Sequence, residues 1–223
     1  MSLEDDVSRY YNERASVYDV TAGYTNPESE KLRLPIKQRF QEIFRGRNVL
    51  EIACGTGYWT AVLGETAESV LGIDNNRSLL AQAHTKYSNQ PNVRFQLADA
   101  YTLEGVPGGF NAAFGHGWWS HIPKKNIKTF LTALHRKLSP GALVLFNDQL
   151  SYDGFYRKQD NDGNTLEQRI LPNARSFMIV KNFPDEKEIT NTLSGFADNI
   201  RYTRLPVEDH WEVVYQTGCS PVE

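Results

Sequence analysis

The feature that most constrains this chain is a glycine-rich turn that stands between an apolar run and a helical pattern. Val49, Leu50 and Ile52 are apolar, as expected of a buried strand, and Gly55 and Gly57 follow directly. Glycines at such a turn let the backbone bend tightly and approach a ligand without hindrance from Cβ atoms. A strand, a tight turn and a helix in this order predict a binding edge for a nucleotide.

The spacing of the glycines separates two classes of nucleotide-binding protein. The dinucleotide fingerprint G-x-G-x-x-G requires a third glycine, at which the helix packs closely against the strand. Thr60 occupies that position in this chain. A dinucleotide-dependent oxidoreductase is therefore the less favoured of the two classes.

Acidic or polar residues end the later predicted strands. The apolar run at 69–74 ends in Asp74, at roughly the 20-residue spacing from the turn at which a carboxylate meets ribose hydroxyls. Residues 92–100 alternate in polarity and end at Asp99 and Ala100, and a fourth strand over 110–117 contains His116. A fifth strand is predicted at 142–148. Strands that alternate with helices predict a parallel sheet with ligands at the carboxyl ends of its strands.

The order of these motifs resembles that of the class I S-adenosylmethionine (SAM) methyltransferases. Glu51 followed by A-C-G-T-G is similar to motif I of that family, E/D-x-G-x-G-x-G, with Ala53 in place of the first glycine. The resemblance implies an α/β, Rossmann-like, doubly wound sheet of seven strands, mostly parallel with one antiparallel strand. Predicted strands at 199–205 and 211–217 would supply the closing pair.

The resemblance also implies SAM as the cofactor and a set of residues that contact it. Asp74 would bind the ribose, and Asp99 would accept a hydrogen bond from the adenine amino group. The other implied cofactor contacts are Tyr11, Arg14, Tyr18, Glu51, Ala53, Gly55, Thr56, Gly57, Trp59, Asn75, Ala100 and His116.

The N-terminal segment predicts a lid over residues 1–30. Its pattern Y-Y-x-x-x-A-x-x-Y-D at 10–19 resembles the aromatic opening of many small-molecule methyltransferases. In such a lid Arg14 can meet the carboxylate of the SAM tail in bidentate fashion. The alternative is an amphipathic helix whose tyrosines only pack. A second helix is predicted at 29–44, with an interruption at Pro35.

The segment after the fourth strand supplies candidates for the transfer step. His121 is the predicted catalytic base or substrate donor, because histidine titrates near neutral pH. Trp118 and Trp119 are predicted to line the substrate side. The alternatives are that the histidines bond to loop backbone and that the tryptophans pack in the core.

A polar segment after the fifth strand predicts a substrate cap over 149–183, irregular until a short extended stretch at 176–181. Arg169, Arg175 and Lys181 are its candidate substrate-binding residues, since cations at a cap suit an anionic acceptor. The R-S-F-x-I-V-K pattern is similar to a phosphonate O-methyltransferase. A solvated charged face is the alternative. A helix at 185–196 follows.

The composition bounds the remaining possibilities. The chain has 223 residues, 40% of them hydrophobic, which fits a single methyltransferase domain over 1–223. A net charge of −3 and a G-H-G-W sequence, rather than D/N-P-P-Y/F, after strand four argue against nucleic acid as the partner. Cys54 and Cys219 match neither a metal site nor a disulfide framework. We expect a cytoplasmic monomer or homodimer without a metal and without a membrane partner.

The sequence therefore predicts methyl transfer from SAM to a small molecule, at an oxygen of an anionic compound such as a carboxylate or a phosphonate. Two alternatives stay open at this point. One is a protein of the same fold that binds SAM without catalysis, and the other is the oxidoreductase.

Overall fold

The computed structural model describes residues 3–205 and 209–218. Cys219 and the first two residues of the predicted lid lie outside the described residues. The seven described α-helices are α1 (Leu3–Arg14), α2 (Tyr18–Thr21), α3 (Pro27–Phe44), α4 (Tyr58–Gly64), α5 (Arg77–Tyr87), α6 (Ile127–His135) and α7 (Glu186–Leu193). The ten described strands are β1 (Asn48–Ile52), β2 (Ser69–Asp74), β3 (Val93–Leu97), β4 (Phe110–His116), β5 (Leu138–Gln149), β6 (Arg157–Gln159), β7 (Thr165–Ile170), β8 (Ser176–Val180), β9 (Ala197–Leu205) and β10 (His210–Thr217).

Seven strands form the main sheet in the order β3-β2-β1-β4-β5-β10-β9. The first five are mutually parallel, and β10 runs antiparallel to both of its neighbours. This arrangement confirms the predicted α/β sheet of seven strands with one antiparallel strand. The carboxyl ends of β1 to β5 meet at one edge, where parallel α/β sheets place their ligands.

Helices cover both faces of the sheet. On one face, Phe40 and Phe44 of α3 pack edge-on against Phe114 of β4, with ring centroids 5.1 and 5.6 Å apart. On the other face, Phe130 of α6 packs against Phe146 of β5 at 5.8 Å. The sheet thus lies between two apolar layers, which fix the position of the strand ends that carry the site.

The predicted interruption of α3 at Pro35 is wrong, because the helix runs through it. Asn26 caps the helix by accepting hydrogen bonds from the backbone N–H groups of Glu28 and Ser29, at 2.9 and 3.1 Å. Pro35 is solvent-exposed, so the carbonyl that loses its partner there can bond to water. Burial of the apolar residues on the opposite face of the helix outweighs the lost hydrogen bond.

The polar segment after β5 is more regular than the sequence predicts. Strands β6, β7 and β8 form a separate antiparallel sheet. The N-terminal helix α1 packs on this sheet through Val7 and Tyr10, which contact a cluster that includes Phe177 and Ile179 of β8. The predicted lid and the predicted cap therefore share one small apolar core.

Candidate functional site

Two adjoining cavities, of about 90 and 190 Å³, lie at the carboxyl ends of β1 to β4. We call them together the strand-end cleft. The residues that line both cavities are Glu4, Ser8, Ala53, Asp74, Asn75, Tyr101 and Trp118. Asp99 and Ala100 line the larger cavity, and Gly55 lines the smaller one. The structure thus brings the predicted ribose and adenine residues to one cleft.

Asp74 fixes the shape of the glycine-rich turn. Its Oδ2 atom accepts a hydrogen bond from the Gly55 N–H at 2.8 Å, and its Oδ1 atom accepts one from the Asn76 N–H at 2.8 Å. Gly57 adopts a φ of +79°, and a Cβ atom there would lie 2.7 Å from the Phe95 ring. The turn therefore requires glycine at this position. Ala53, at the first motif position, holds a φ of 55°, which is uncommon for a residue with a side chain.

The N-terminal segment is tied to the glycine-rich turn by a residue that the sequence analysis did not single out. Asp19 accepts a hydrogen bond from Thr56 Oγ1 at 2.6 Å and pairs with Lys86 of α5. Tyr11 and Tyr18 of the same segment line the strand-end cleft. The tyrosine-rich segment 10–19 is therefore anchored beside the cleft by its last residue, Asp19.

A third cavity, of about 500 Å³, adjoins the strand-end cleft. We call it the cationic cavity, because Arg14, Arg33, Arg169 and Lys181 line it. The residues that line both this cavity and the strand-end cleft are Tyr11, Tyr18, His116, Gly117 and His121. These five shared residues mark the junction between the two spaces.

Lys181 of the cationic cavity is buried and hydrogen-bonded. Its Nζ atom lies 3.2 Å from Asp148 Oδ1 and 2.8 Å from Ser120 Oγ. Burial lowers the pKa of Lys181. Burial alone would raise the pKa of Asp148, but Lys181 and the hydrogen bonds to this carboxylate hold it at about 2. The pair places a fixed cation and its counter-ion at the carboxyl end of β5.

The two histidines at the junction are held as neutral side chains. The pKa of both His116 and His121 is lowered to about 3, chiefly by burial and also by the neighbouring His210 and Lys181, respectively. His121 Nδ1 lies 2.7 Å from the Val180 carbonyl, which can only accept, so Nδ1 carries the proton. His121 Nε2 then accepts a hydrogen bond from the Tyr11 hydroxyl at 3.0 Å.

His116 has the same tautomer for a similar reason. Its Nδ1 atom lies 2.8 Å from Asn147 Oδ1. The amide of Asn147 is oriented because its Nδ2 atom donates to the Trp211 carbonyl at 3.0 Å. Oδ1 is therefore the acceptor, and His116 Nδ1 is the donor.

Several predicted site residues lie elsewhere in the described structure. Trp59 is 3% exposed and packs against Phe40, with ring centroids 5.4 Å apart, so it belongs to the core. Trp119 is 2% exposed and packs against Phe146 at 5.2 Å. Arg175 is a surface residue, paired with Glu13 of α1 at 2.7 Å. None of these three lines the strand-end cleft or the cationic cavity.

Three residues of the motif I region lie behind the cleft rather than in its lining. Glu51 is 2% exposed, and its pKa is raised to about 8, chiefly by burial and also by the charge of Asp74. Thr56 is 1% exposed and bonds to the N-terminal segment. Gly57 also lies outside the lining of either space.

Several lining residues were not predicted from the sequence. Tyr101 lines the strand-end cleft directly after Asp99 and Ala100, where its position at a strand end was an available signal. Tyr24, Arg33 and His210 line the cationic cavity, and they come from a loop, a helix and the distant β10. No local pattern connects these three residues, because the fold alone brings them together.

Neither a membrane span nor a metal cluster is found in the part of the chain that the structure describes. No helix there combines the length and the apolar character needed to cross a bilayer. The same residues contain no group of three or more histidine, cysteine, aspartate or glutamate side chains that could hold a metal ion.

The sheet order and the strand-end cleft define an α/β protein with its candidate site at the carboxyl ends of the parallel strands. Residues 49–141 match the family model described as a methyltransferase domain. Demethylmenaquinone methyltransferase of Staphylococcus aureus (strain MRSA252) is 27% identical over 150 residues, which cover 64% of this chain and 59% of that protein. The match thus spans about three fifths of the length of this relative.

Solved structures resemble the chain over nearly its whole length. The complex of DhpI with SAH is 27% identical, with a TM-score of 0.75 and 98% of each chain covered. The complex of DhpI with SAM and HEP is 25% identical, with a TM-score of 0.74, and covers 96% of this chain and 97% of that one. An S-adenosylmethionine-dependent methyltransferase from Clostridium acetobutylicum, 16% identical with a TM-score of 0.65, covers 93% of this chain and 99% of that one and shares the fold.

The domain match, the sheet and the SAM-bound structural relatives agree with one another. The chain is thus similar to SAM-dependent methyltransferases over nearly its whole length, and residues 49–141 carry the match to a methyltransferase domain.

Proposed function

We propose that this protein transfers the methyl group of SAM to an oxygen of a small anionic acceptor, either a carboxylate or a phosphonate. One observation carries the proposal: the cationic cavity meets the strand-end cleft at residues common to both, among them Tyr11, His116 and His121. A cofactor in the cleft and an acceptor in the cavity would then be neighbours. Cavities of this size suit small molecules.

The residues of the strand-end cleft fit SAM. Asp74 and Asp99 offer carboxylate oxygens, which accept hydrogen bonds from ribose hydroxyls and from an adenine amino group. Gly55 adopts a φ of +57°, a conformation that favours glycine, and it lies beside the Tyr18 ring of the N-terminal segment. Ala53, Asn75 and the aromatic side chains of the cleft complete its wall.

The cations of the cavity favour an acceptor that is an anion. Arg169 and Lys181 come from β7 and from the residue after β8, and both side chains are held by hydrogen bonds, to Tyr152 and to Ser120 respectively. An ordered guanidinium presents a planar fork that matches a carboxylate or phosphonate group. Arg14 also lines this cavity and not the strand-end cleft, so it adds a further positive charge on the acceptor side.

When bound, SAM supplies a methyl group on a sulfonium, which is a good leaving group. The chain then has to orient the acceptor oxygen toward that group and exclude water. Tyr11 and Tyr18, in the N-terminal segment, contribute to the wall between the cleft and the cavity. His121 holds Tyr11 in place through its Nε2 atom, at 3.0 Å.

A general base is not needed for an acceptor that is already ionised. The sequence predicts His121 as the base, but the low pKa of this side chain and its hydrogen bond from Tyr11 favour an orienting role. The low pKa of His116 makes that side chain an equally weak base. Two neutral histidines at the junction therefore fit an anionic acceptor better than a neutral alcohol.

The proposal is tested by a screen for methyl transfer. Purified protein is incubated with SAM and with small carboxylates, phosphonates, phenols and amines, and release of S-adenosylhomocysteine (SAH) is measured. The proposal predicts release that depends on an anionic oxygen acceptor and saturates with its concentration. Release with amines alone would contradict the acceptor class, and SAM binding without release for any acceptor would favour a non-catalytic SAM-binding protein. Stabilisation by NAD but not by SAH would favour the oxidoreductase alternative.

A further inference from the structure

A buried carboxylate of the second sheet lies between two arginines. The Glu167 side chain is fully buried, and its Oε2 atom lies 2.7 Å from Arg157 Nε. Its Oε1 atom lies 2.6 Å from Arg169 Nη2. The side chains of the two arginines are 20% and 21% exposed. We call these three residues the Arg-Glu-Arg trio.

The strand register places the trio on one face of the small sheet. Arg157 of β6 pairs directly opposite Glu167 of β7. Arg169 is two residues further along β7, and residues two apart in a strand point to the same face. Two arginines are thereby directed at the same carboxylate from neighbouring strands.

Aromatic rings and a hydroxyl hold the trio in place. The Arg157 guanidinium lies 4.7 Å from the Tyr152 ring centroid and 4.4 Å from that of Phe183. Arg169 donates to the Tyr152 hydroxyl at 2.6 Å, and that hydroxyl donates to Glu167 at 3.1 Å. The two arginines therefore have little freedom to move away from the shared carboxylate.

The charges of the trio do not cancel. Two guanidiniums share one carboxylate, so a single positive charge is left over, whereas Lys181 and Asp148 form a balanced pair. Arg169 lines the cationic cavity, but Arg157 lines neither the cavity nor the strand-end cleft. The excess charge is therefore presented to the cavity by Arg169.

We propose that Arg157 is a positioning residue that sets the affinity for the acceptor by sharing Glu167, so that Arg169 keeps a net positive charge toward the cavity. The inference rests on the proposed function, because it assumes that the acceptor in the cavity is an anion. Without Arg157, Glu167 would neutralise Arg169 alone. Without both Arg157 and Glu167, Arg169 would again present one uncompensated charge.

Four variants separate this charge sharing from a structural role. Arg157→Gln should raise the KM for an anionic acceptor about tenfold with little change in kcat, because one unit charge near the anion is lost. Arg157→Lys keeps the charge and should stay within about twofold of the wild type. Glu167→Gln should lower the KM. The double variant Arg157→Gln/Glu167→Gln should return to within about threefold of the wild type, since the net charge is restored.

Binding of inorganic phosphate to the SAH-loaded protein, followed by calorimetry, gives a readout that does not need turnover. The dissociation constant for phosphate should follow the same order across the four variants, while SAH affinity and melting temperature check the fold. An unchanged KM and phosphate affinity in Arg157→Gln would overturn the inference. The inference would also be overturned if the double variant bound phosphate as weakly as Arg157→Gln does. Equally weak phosphate binding by Glu167→Gln would overturn it too, because a purely structural role predicts both results.

The outcomes distinguish this inference from the proposed function. Turnover of an anionic acceptor by the wild type, with no effect of Arg157→Gln, defeats the inference alone. If the variants show the expected order of phosphate affinities but no oxygen acid is methylated, the proposed function alone is defeated.

Discussion

The hydroxyl of Tyr11 donates a hydrogen bond to His121 Nε2, at 3.0 Å, where the strand-end cleft meets the cationic cavity. This contact joins the N-terminal helix to the segment after β4. The same histidine is bonded through Nδ1 to the Val180 carbonyl at the end of β8. One side chain thus connects the lid, the main sheet and the second sheet at the junction.

Loss of the Tyr11 hydroxyl should loosen this connection. We expect Tyr11→Phe to reduce kcat/KM by about fivefold, because a neutral hydrogen bond contributes about 1 kcal/mol. Steady-state kinetics with the best acceptor from the screen measure the change. Tyr87→Phe is the matched control, since this ring of α5 packs near Phe95 and lines neither the strand-end cleft nor the cationic cavity. An equal loss in both variants would refute the specific role of the Tyr11–His121 bond.

Asp74 should control affinity for the cofactor. We expect Asp74→Ala to weaken SAH binding by about 10- to 100-fold, because hydrogen bonds to a charged group contribute about 1.5–3 kcal/mol. Calorimetry with SAH measures the loss, and circular dichroism checks that the sheet is retained. Asp162→Ala, at an exposed carboxylate paired with Lys125, is the control and should bind SAH normally. Normal SAH affinity in a folded Asp74→Ala variant would count against the ribose role.

Two arginines of the second sheet region should behave differently. Arg169 lines the cationic cavity, whereas Arg175 is 56% exposed and pairs with Glu13. We expect Arg169→Ala to raise the KM for an anionic acceptor by about tenfold or more, and Arg175→Ala to leave it unchanged. The sequence alone predicts an effect of Arg175, so kinetics on this pair test which of the two arginines contacts the acceptor. The reverse order of effects would restore the sequence prediction.

Stability should fall in acid because of a buried histidine far from the site. His135 of α6 is 7% exposed, and its Nε2 atom lies 2.9 Å from the Tyr215 hydroxyl. Burial lowers its pKa from 6.5 to about 4. The folded-state pKa lies below the unfolded value, so its contribution to stability is fully present above pH 6.5. That contribution is lost as the pH falls toward 4.

At about pH 5 the expected loss from His135 is about 2 kcal/mol relative to neutral pH. Urea unfolding at both pH values measures it. His135→Gln removes the titrating group. The free energy of unfolding of this variant should therefore fall by about 2 kcal/mol less than that of the wild type between neutral pH and about pH 5. His116 and His121, whose pKa values are lowered to about 3, should leave a remaining dependence of the same sign. An identical pH dependence in the variant and the wild type would rule out the His135 contribution.

Local patterns in the sequence were enough to predict the main sheet and one side of the site. Gly55 and Asp74 stand at strand ends, and the topology of a parallel sheet brings such ends together. Ala53 stands where the motif has glycine, and the structure gives it a positive φ of 55° at the cleft. The substitution therefore places a side chain in a strained backbone conformation, while the fold stays the same.

The sequence did not predict which side chains of the site-forming segments face the site and which face the core. Trp59 and Trp119 occur in site-forming segments, but their large apolar rings are stabilised by burial in the core. The second sheet was missed because the buried Glu167 makes β7 appear polar. Its charge is compensated by Arg157 and Arg169, a relationship that depends on strand register. Tertiary pairing of this kind leaves no local signal.

The most direct test of the account is to follow a methyl group labelled with deuterium from SAM into the acceptor by mass spectrometry. The account predicts that the label appears on an oxygen of a small carboxylate or phosphonate, in amounts equal to the SAH released. It also predicts that Arg169→Ala reduces this transfer at limiting acceptor. Label that appears only on nitrogen or sulfur, or no labelled product despite bound SAM, would contradict it.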